Sequence, residues 1–315
     1  MFKNIGFFVF LFKMGPLFMK ALKSAKMIKL ALAGGSMAAY SYLFTWQFAI
    51  VLLASIIFHE YGHTRGMKHC GIPVKGIYLI PFLGGAAVPE KGWETRTQET
   101  HISLWGPLYG LILCIPFLVY GIVNDSSMAI GIVSFMALIN LFNLFPINPL
   151  DGGRVVKSIA FSFSSNFGLF MMTFGMILAA LGIYFFKMWI LMFVLVIGGL
   201  ELFVEYYSYK RQKKSFENFK EEYYKNYDNY LENLKETDIE SYNNEIRPTD
   251  KEVIIAFDLE KDIEDNLKIS PMNKQDIIRY SFFYVFLVVS FVGLIIYTAS
   301  FEGANLALKM LQEDM

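Results

Sequence analysis

Long stretches without a charged side chain constrain the fold of this chain more than any other feature of its sequence. Leu30–Phe58 and Ile102–Val123 contain no Asp, Glu, Lys or Arg. Charged residues make up 18% of the chain, compared with about 25% in soluble domains. Because crossing about 30 Å of hydrocarbon takes roughly 20 helical residues, these stretches predict an integral membrane protein. The formal net charge of zero leaves no basic surplus that would indicate a nucleic-acid partner.

The sequence predicts an all-α polytopic membrane protein with about seven transmembrane helices and a short re-entrant β element. The first two helices share Leu30–Phe58, which is too long for one span and too short for two. Two fit if one end extends to Lys26 and Lys29, whose side chains reach the interface, and the other extends through His63. The predicted spans lie at about 27–45, 46–66, 102–123, 128–147, 166–186, 188–208 and 280–300.

Basic residues in the loops predict the orientation of these helices, because cytoplasmic loops carry an excess of Lys and Arg. Lys20, Lys23, Lys26 and Lys29 lie before or at the start of the first span, and four basic residues between 210 and 214 follow the sixth. The turn 124–127 has none. We therefore expect a multi-pass protein of the cell membrane, with the N-terminus and the loops 67–101, 148–165 and 209–278 on the cytoplasmic side.

Four segments follow from this topology. An amphipathic segment at 1–25 lies on the membrane or forms an eighth span, and the final span with its tail occupies 279–315. Between them lie a membrane core at 26–208 and a polar cytoplasmic segment at 209–278. The polar segment contains a predicted amphipathic helix from Lys210 to Glu236 and a possible strand at Val253–Phe257. It is either a solvated connector or a module that contacts substrate.

The pattern His59-Glu60-Tyr61-Gly62-His63 is the strongest chemical signal in the sequence. On a helix, residues four apart share one face, so both imidazoles can bind one Zn²⁺. Glu60 lies beside them and can act as a general base toward a metal-bound water. The alternative is an ordinary helix end with two histidines that reach the interface.

The depth of this pattern in the membrane favours the metal site. If the second span begins near Trp46, His59 lies about 20 Å along the helix and roughly 10 Å inside the cytoplasmic boundary. Ionisable groups at such depth are costly unless they are paired or functional. A bound metal ion provides a reason for two histidines and a glutamate in this place.

Asp151 is the best candidate for a third ligand, since catalytic zinc takes three protein ligands and one water. It follows the fourth span after Pro146 and Pro149, which stop the helix, and precedes two glycines that permit a tight turn back toward the membrane. Asp151 could instead cap the helix that follows. His69 and His101 are weaker candidates, and we expect both to be interfacial.

These residues carry a resemblance to a known family. His59–His63 in an apolar span, followed by Asn143-Leu-Phe-Pro and Pro149-Leu-Asp151-Gly-Gly, resembles the site-2 protease family of intramembrane metalloproteases. The segments Ile80–Ala86 and Gly106–Gly110 are also similar. The resemblance implies one Zn²⁺ per chain, bound by the two histidines and the aspartate, with Glu60 as catalytic base. It further implies that Asn143 contacts the substrate backbone, although Asn140 and Asn148 are nearby alternatives.

The segment Gly76–Pro89 resembles the re-entrant β-hairpin of that family. It is apolar, interrupted by glycine, and too short to span a membrane as a helix. An extended edge here could pair with an unwound substrate strand through main-chain hydrogen bonds, and Gly84, Gly85 and Ala86 are the predicted contacts. The alternative is a buried loop that packs against the helices.

The sequence therefore predicts a zinc endopeptidase that hydrolyses peptide bonds within or near a transmembrane segment of a membrane-anchored substrate. A catalytically silent scaffold of the same fold is the main alternative, although all four predicted catalytic positions are present. A lipid desaturase would need many more histidines than the four in this chain. A transporter with a proton relay would leave the Pro-Leu-Asp-Gly-Gly turn unexplained. The identity of the substrate and the oligomeric state stay open.

Overall fold

The computed structural model describes residues 25–43, 46–81, 84–187, 191–237, 248 and 269–301. This part of the chain is mostly helical and contains one two-stranded sheet. Its elements, in chain order, are α1 (Ala25–Leu43), α2 (Trp46–His69), β1 (Val74–Ile80), β2 (Gly84–Pro89), α3 (Arg96–Val123), α4 (Ser127–Asn143), α5 (Asp151–Phe163), α6 (Ser165–Phe186), α7 (Leu191–Thr237) and α8 (Lys274–Ala299).

Each of the seven predicted spans coincides with one of these helices, but the count of seven transmembrane helices is not confirmed. Within the described residues, four helices are long and apolar enough to cross a membrane, namely α3, α6, α7 and α8. Helix α4 is apolar but has only 17 residues. Helix α1 is rich in small residues, and α2 contains the polar group around His59, which lowers its hydropathy. The multi-pass membrane character is confirmed at this coarser level.

Helices α2 and α3 cross at close range because small residues of α2 lie against Trp105 of α3. A Cβ atom at Gly62 would collide with the Trp105 carbonyl, and one at Gly66 would lie 3.1 Å from the Trp105 side chain. Small residues at such a crossing let the two backbones approach. This close packing brings His63 to the surface of α3.

The main hydrophobic core lies where α4 packs between α3 and α8. Val133 and Met136 of α4 are buried there together with Leu104 of α3 and Phe291 of α8. Helix α8 also contacts the end of α4, since the Tyr284 hydroxyl donates a hydrogen bond to the Leu144 carbonyl at 2.6 Å. The C-terminal end of α4, which leads to Asp151, is therefore anchored by packing on both sides.

The predicted β element is an antiparallel hairpin of β1 and β2, in which Ile77 pairs with Ala87 and Leu79 with Gly85. It packs against α1 and α2 rather than standing alone. From α1, the Lys29 ammonium donates a hydrogen bond to the Lys75 carbonyl at 3.0 Å. Protein contacts on this side agree with the rule that irregular backbone in a membrane must be covered by protein or line a cavity.

The polar segment begins as a continuation of a membrane helix. The helix predicted at Lys210–Glu236 is the second half of α7, which runs unbroken from Leu191 to Thr237. The possible strand at Val253–Phe257, the amphipathic segment through residue 24 and the tail beyond Phe301 lie outside the described residues.

Candidate metal centre

Helix α2 presents His59, Glu60 and His63 to one buried place. The two histidines lie four residues apart on the same helix face and are 5% and 7% exposed. One ligand atom from each of the three side chains falls within 4.8 Å of the others. Helix α3 packs against the two imidazole rings, Asn140 of α4 lies against His59, and β2 covers Glu60, so three polar side chains are buried on an apolar helix.

Hydrogen bonds on the far side of each ring fix the state of the near nitrogen. His63 Nδ1 lies 2.8 Å from the Ile102 carbonyl, which can only accept, so Nδ1 carries the proton. His59 Nδ1 lies 2.8 Å from Asn140 Oδ1. The Asn140 amide nitrogen donates to the Met136 carbonyl at 2.8 Å, which leaves its oxygen to accept from His59. In the neutral rings, both Nε2 atoms are therefore unprotonated.

Asp151 reaches the histidines because the chain turns sharply after α4. Helix α4 ends at Asn143, and Asp151 is the first residue of α5. A Cβ atom at Gly152 or Gly153 would collide with the backbone of the turn, so glycine permits this approach. The predicted alternative, Asp151 as the cap of α5, does not hold, since Leu150 occupies the N-cap position.

When both rings are neutral, three lone pairs converge on one point. The Nε2 atoms of His59 and His63 lie 3.0 Å apart. Asp151 Oδ2 lies 3.0 Å from His59 Nε2 and 3.3 Å from His63 Nε2. Such an arrangement is unfavourable unless a proton or a metal cation lies among the three atoms. A tetrahedral Zn²⁺ with bonds of about 2.0–2.1 Å separates neighbouring ligand atoms by about 3.3 Å. The donor set and its spacing therefore fit zinc.

Two glycines of α3 make room for the centre. A Cβ atom at Gly106 would collide with the His63 ring and lie 2.7 Å from His59 Nε2. One turn further along, a Cβ atom at Gly110 would collide with the Asn140 side chain. These close contacts explain physically why glycine occupies both ends of the Gly106–Gly110 segment.

Glu60 contacts the β-hairpin. Its Oε2 atom accepts a hydrogen bond from the Ala87 N–H at 2.7 Å. A Cβ atom at Gly85 would lie 2.6 Å from Glu60 Cγ, so β2 approaches the glutamate closely because residue 85 is glycine. The carboxylate is thereby oriented by the hairpin, and Oε1 has no hydrogen-bond partner among the described residues.

A cavity of about 480 Å³ opens beside these groups. Residues of α1 to α5, of α7 and of both strands line it, so the candidate metal-binding side chains and the hairpin share one space. Its polar lining includes His59, Glu60, His63, Asn143, Asp151 and Arg154. The remaining walls are mostly apolar, which suits an apolar polypeptide segment.

The structure separates the three candidate asparagines. Asn143 lines the cavity and makes no hydrogen bond within the described part of the chain. Asn140 also lines the cavity, but it is buried and its side-chain oxygen lies 2.8 Å from His59 Nδ1, a role that the sequence did not predict. Asn148 is buried away from the cavity lining. Asn140 could have been identified from its position, because an amide side chain within an apolar helix needs a polar partner.

The two other histidines lie away from the centre. His69 and His101 stack on each other with ring centroids 4.9 Å apart, and His101 Nδ1 lies 3.1 Å from the Tyr280 hydroxyl. Neither lines the cavity. Their predicted interfacial position stays a prediction.

Comparison with known proteins agrees with this geometry. Residues 47–126, which include α2, the hairpin and α3, match Peptidase family M50. The resemblance to the site-2 protease family is confirmed. The M50 match ends before Asp151, so the approach of that carboxylate is an independent observation from the structure.

Curated relatives of the M50 region are named as zinc metalloproteases. A provisionally named zinc metalloprotease of Synechocystis sp. is 37% identical over 123 residues, 38% of this chain and 32% of that protein. A zinc metalloprotease of Methanocaldococcus jannaschii is 33% identical over 35% of this chain and 33% of its own length. Stage IV sporulation protein FB of Bacillus subtilis is 31% identical over 34% and 38%, respectively. The chain spans about a third of the length of these relatives.

Proposed function

We propose that this protein is a zinc endopeptidase that cleaves membrane-anchored proteins within or near a transmembrane segment. In this proposal His59, His63 and Asp151 bind the zinc ion and Glu60 is the catalytic base. The observation that carries the proposal is the convergence of three metal-binding donor atoms, two imidazole nitrogens and one carboxylate oxygen, within 3.3 Å of one another beside a buried glutamate. The M50 match and the names of the relatives support the same chemistry.

Different residues of this chain have different roles in the proposed hydrolysis. When bound, zinc lowers the pKa of a water and polarises the scissile carbonyl. Glu60 takes a proton from the attacking water and delivers it to the leaving amine. Oε1 is the atom that accepts this proton, because the Ala87 N–H already engages Oε2. Asn140 and the Ile102 carbonyl hold the imidazoles in the tautomer that binds a metal. The apolar cavity walls limit access of bulk water.

Strand β2 is the proposed docking edge for the substrate. Because the Ala87 N–H faces Glu60, the backbone groups of Gly85 and Ala87 face away from β1. An extended substrate strand could pair with this edge and present its carbonyl next to the base. Gly84, Gly85 and Ala86 would lie along the substrate, and Asn143 across the cavity would bind its backbone.

The membrane arrangement is part of the proposal. Residues 26–208 would form the peptidase core, 209–278 a cytoplasmic segment, and 279–315 the final span with its tail. The active-site end of the core would face the cytoplasm, as the basic loops predict. Cysteine accessibility to a membrane-impermeant reagent, compared at Lys91→Cys and Asp125→Cys in a cysteine-free background, tests this orientation, because the two sites should lie on opposite sides.

The central experiment is Glu60→Gln in the full-length protein. The variant should retain stoichiometric zinc but lose at least about a thousandfold in cleavage, since it lacks the general base. Membrane-protein fragments in cells that express the wild type or the variant would be compared by mass spectrometry, with Glu217→Gln on the exposed polar half of α7 as the matched control. Identical fragments in the wild type and Glu60→Gln would indicate the silent scaffold. A wild-type protein that binds no zinc would refute the metal centre itself.

A further inference from the structure

The metal centre joins two parts of the chain that are 92 residues apart in sequence, and α3 contacts both. On the histidine side, the Ile102 carbonyl accepts from His63 at 2.8 Å, and Gly106 lies against both rings. On the aspartate side, α3 contacts α5 through Glu99, three residues before Ile102. The same helix therefore bears on the position of all three proposed ligands.

Glu99 forms a buried ionic contact with α5. Its carboxylate is 1% exposed and lies 2.7 Å from the Lys157 ammonium. The Ser158 hydroxyl donates to Glu99 Oε2 at 2.6 Å, and Arg96 donates to the same oxygen at 2.9 Å. Every member of this cluster is buried. Buried charges of this kind are costly unless they are paired, and loss of one partner is strongly destabilising.

The ammonium of Lys157 stays charged in this place. Burial alone would lower the pKa of Lys157, but the carboxylates of Glu99 and Glu201 raise the pKa above its ordinary value. Lys157 lies 2.6 Å from Glu201 of α7 as well. It thus connects α5 to two other helices by charge rather than by apolar packing alone.

The contact points on the two helices have matched spacing. Seven residues separate Glu99 from Gly106 on α3, and seven separate Asp151 from Ser158 on α5. Seven residues are close to two turns, so each pair lies on one helix face about 10.5 Å apart. Ser158 meets Glu99 at one end, while Asp151 meets the histidines packed on Gly106 at the other. The two helices therefore run antiparallel with two fixed contacts.

Building on the proposed function, we infer that Glu99, Lys157 and Ser158 are positioning residues that set the axial height and rotation of α5, so that the Asp151 carboxylate reaches the zinc ion. A slip of α5 by one residue would shift Asp151 by about 1.5 Å and rotate it by about 100°. Metal–ligand distances tolerate only about 0.2 Å. Helix α5 has 13 residues and no side-chain cap at its start, so this ionic contact is a major restraint on its register.

Zinc affinity of the purified full-length protein tests this inference without a substrate. Competition with a chelator should show about 10–100-fold weaker zinc binding for Glu99→Gln and Lys157→Met, as for other residues that orient metal ligands. Ser158→Ala, which keeps all charges, should weaken binding about threefold. Lys157→Arg should recover most of the affinity. Lys91→Met breaks the exposed pair with Glu94 nearby and should leave the affinity unchanged.

A double-mutant cycle separates positioning from general destabilisation. If Glu99 acts through Asp151, Glu99→Gln should have no further effect on the weak zinc binding of Asp151→Ala. An undiminished effect in that background, or a folded Glu99→Gln protein with wild-type affinity, would overturn the inference and leave the proposed function intact. If Glu99→Gln does not fold, Ser158→Ala decides by the same comparison. Absence of zinc binding in the wild type would overturn both proposals.

Discussion

Two apolar helices of this protein, α3 and α8, differ in what their glycines face. They have similar lengths of 28 and 26 residues, and both are apolar enough to cross a membrane. In α3, Gly106 and Gly110 lie against His63 and Asn140, with no room for a Cβ atom. In α8, Gly293 has open space around it. Hydropathy thus identifies both as spans, whereas close approach to a polar side chain distinguishes the helix that builds a site.

The largest expected effect of this difference is at Gly106. Alanine there would place a methyl group on the His63 ring and 2.7 Å from His59 Nε2. We expect Gly106→Ala to weaken zinc binding by at least about 100-fold, because the ligands must shift by more than the tolerance of about 0.2 Å. Zinc content after dialysis and chelator competition would measure the change.

Gly293→Ala is the matched control for this prediction. Its new methyl group meets nothing within 4 Å, so zinc affinity should stay within about twofold of the wild type. Helix propensity even favours alanine over glycine by about 1 kcal/mol. Equal zinc affinities for Gly106→Ala and Gly293→Ala would remove the proposed contrast between the two helices.

The sequence predicted the three side chains that the structure brings together, but not the contacts that support them. The spacing of His59 and His63 follows from helix periodicity, and the turn to Asp151 follows from its prolines and glycines, so local rules sufficed. Asn140 connects two helices. Its amide nitrogen donates to the Met136 carbonyl within α4, and its amide oxygen accepts from the His59 ring of α2. Such a contact depends on how helices cross, which no local pattern in one sequence specifies.

Asn140 offers the next largest effect. Asn140→Leu would leave His59 Nδ1 without its acceptor, and we expect about 10–100-fold weaker zinc binding, as for other partners of ligand histidines. Asn143→Leu is the informative counterpart, since Asn143 also lines the cavity but makes no hydrogen bond to His59, His63 or Asp151 among the described residues. It should retain zinc and reduce kcat/KM. Equal zinc losses for both variants would contradict the separate roles given to the two asparagines.

In the hairpin, substitution of Gly85 should lower the rate of catalysis rather than the affinity for zinc. Alanine there would place a methyl group 2.6 Å from Glu60 Cγ and 3.0 Å from Ile56. The glutamate side chain can yield, so we expect zinc affinity to be retained and kcat to fall by about tenfold. Gly34→Ala in α1 serves as control, because it meets nothing within 4 Å. Loss of zinc in Gly85→Ala would mean that the hairpin supports the metal site directly.

The number of spans shows where hydropathy alone falls short. Helices α1 and α2 were predicted by extending an uncharged stretch into polar sequence, and both exist at those positions. Neither is apolar enough to be identified as a span by composition, since α2 carries the histidines and α1 many small residues. A membrane helix that carries the polar residues of a site has a lower hydropathy, and hydropathy alone then fails to identify it as a span.

The smallest effect is expected at Lys29, whose contact with the hairpin lies at an exposed edge. The ammonium donates to the Lys75 carbonyl at 3.0 Å and lies 4.9 Å from the centre of the Tyr78 ring. Both contacts compete with water, so Lys29→Met should lower the free energy of unfolding by only about 0.5–1 kcal/mol. Lys68→Met, on the exposed end of α2, is the control. Because Lys29 touches β1 and not the β2 edge that faces Glu60, zinc affinity and kcat should stay within about twofold, and a tenfold loss of kcat would show that α1 positions the base through the hairpin.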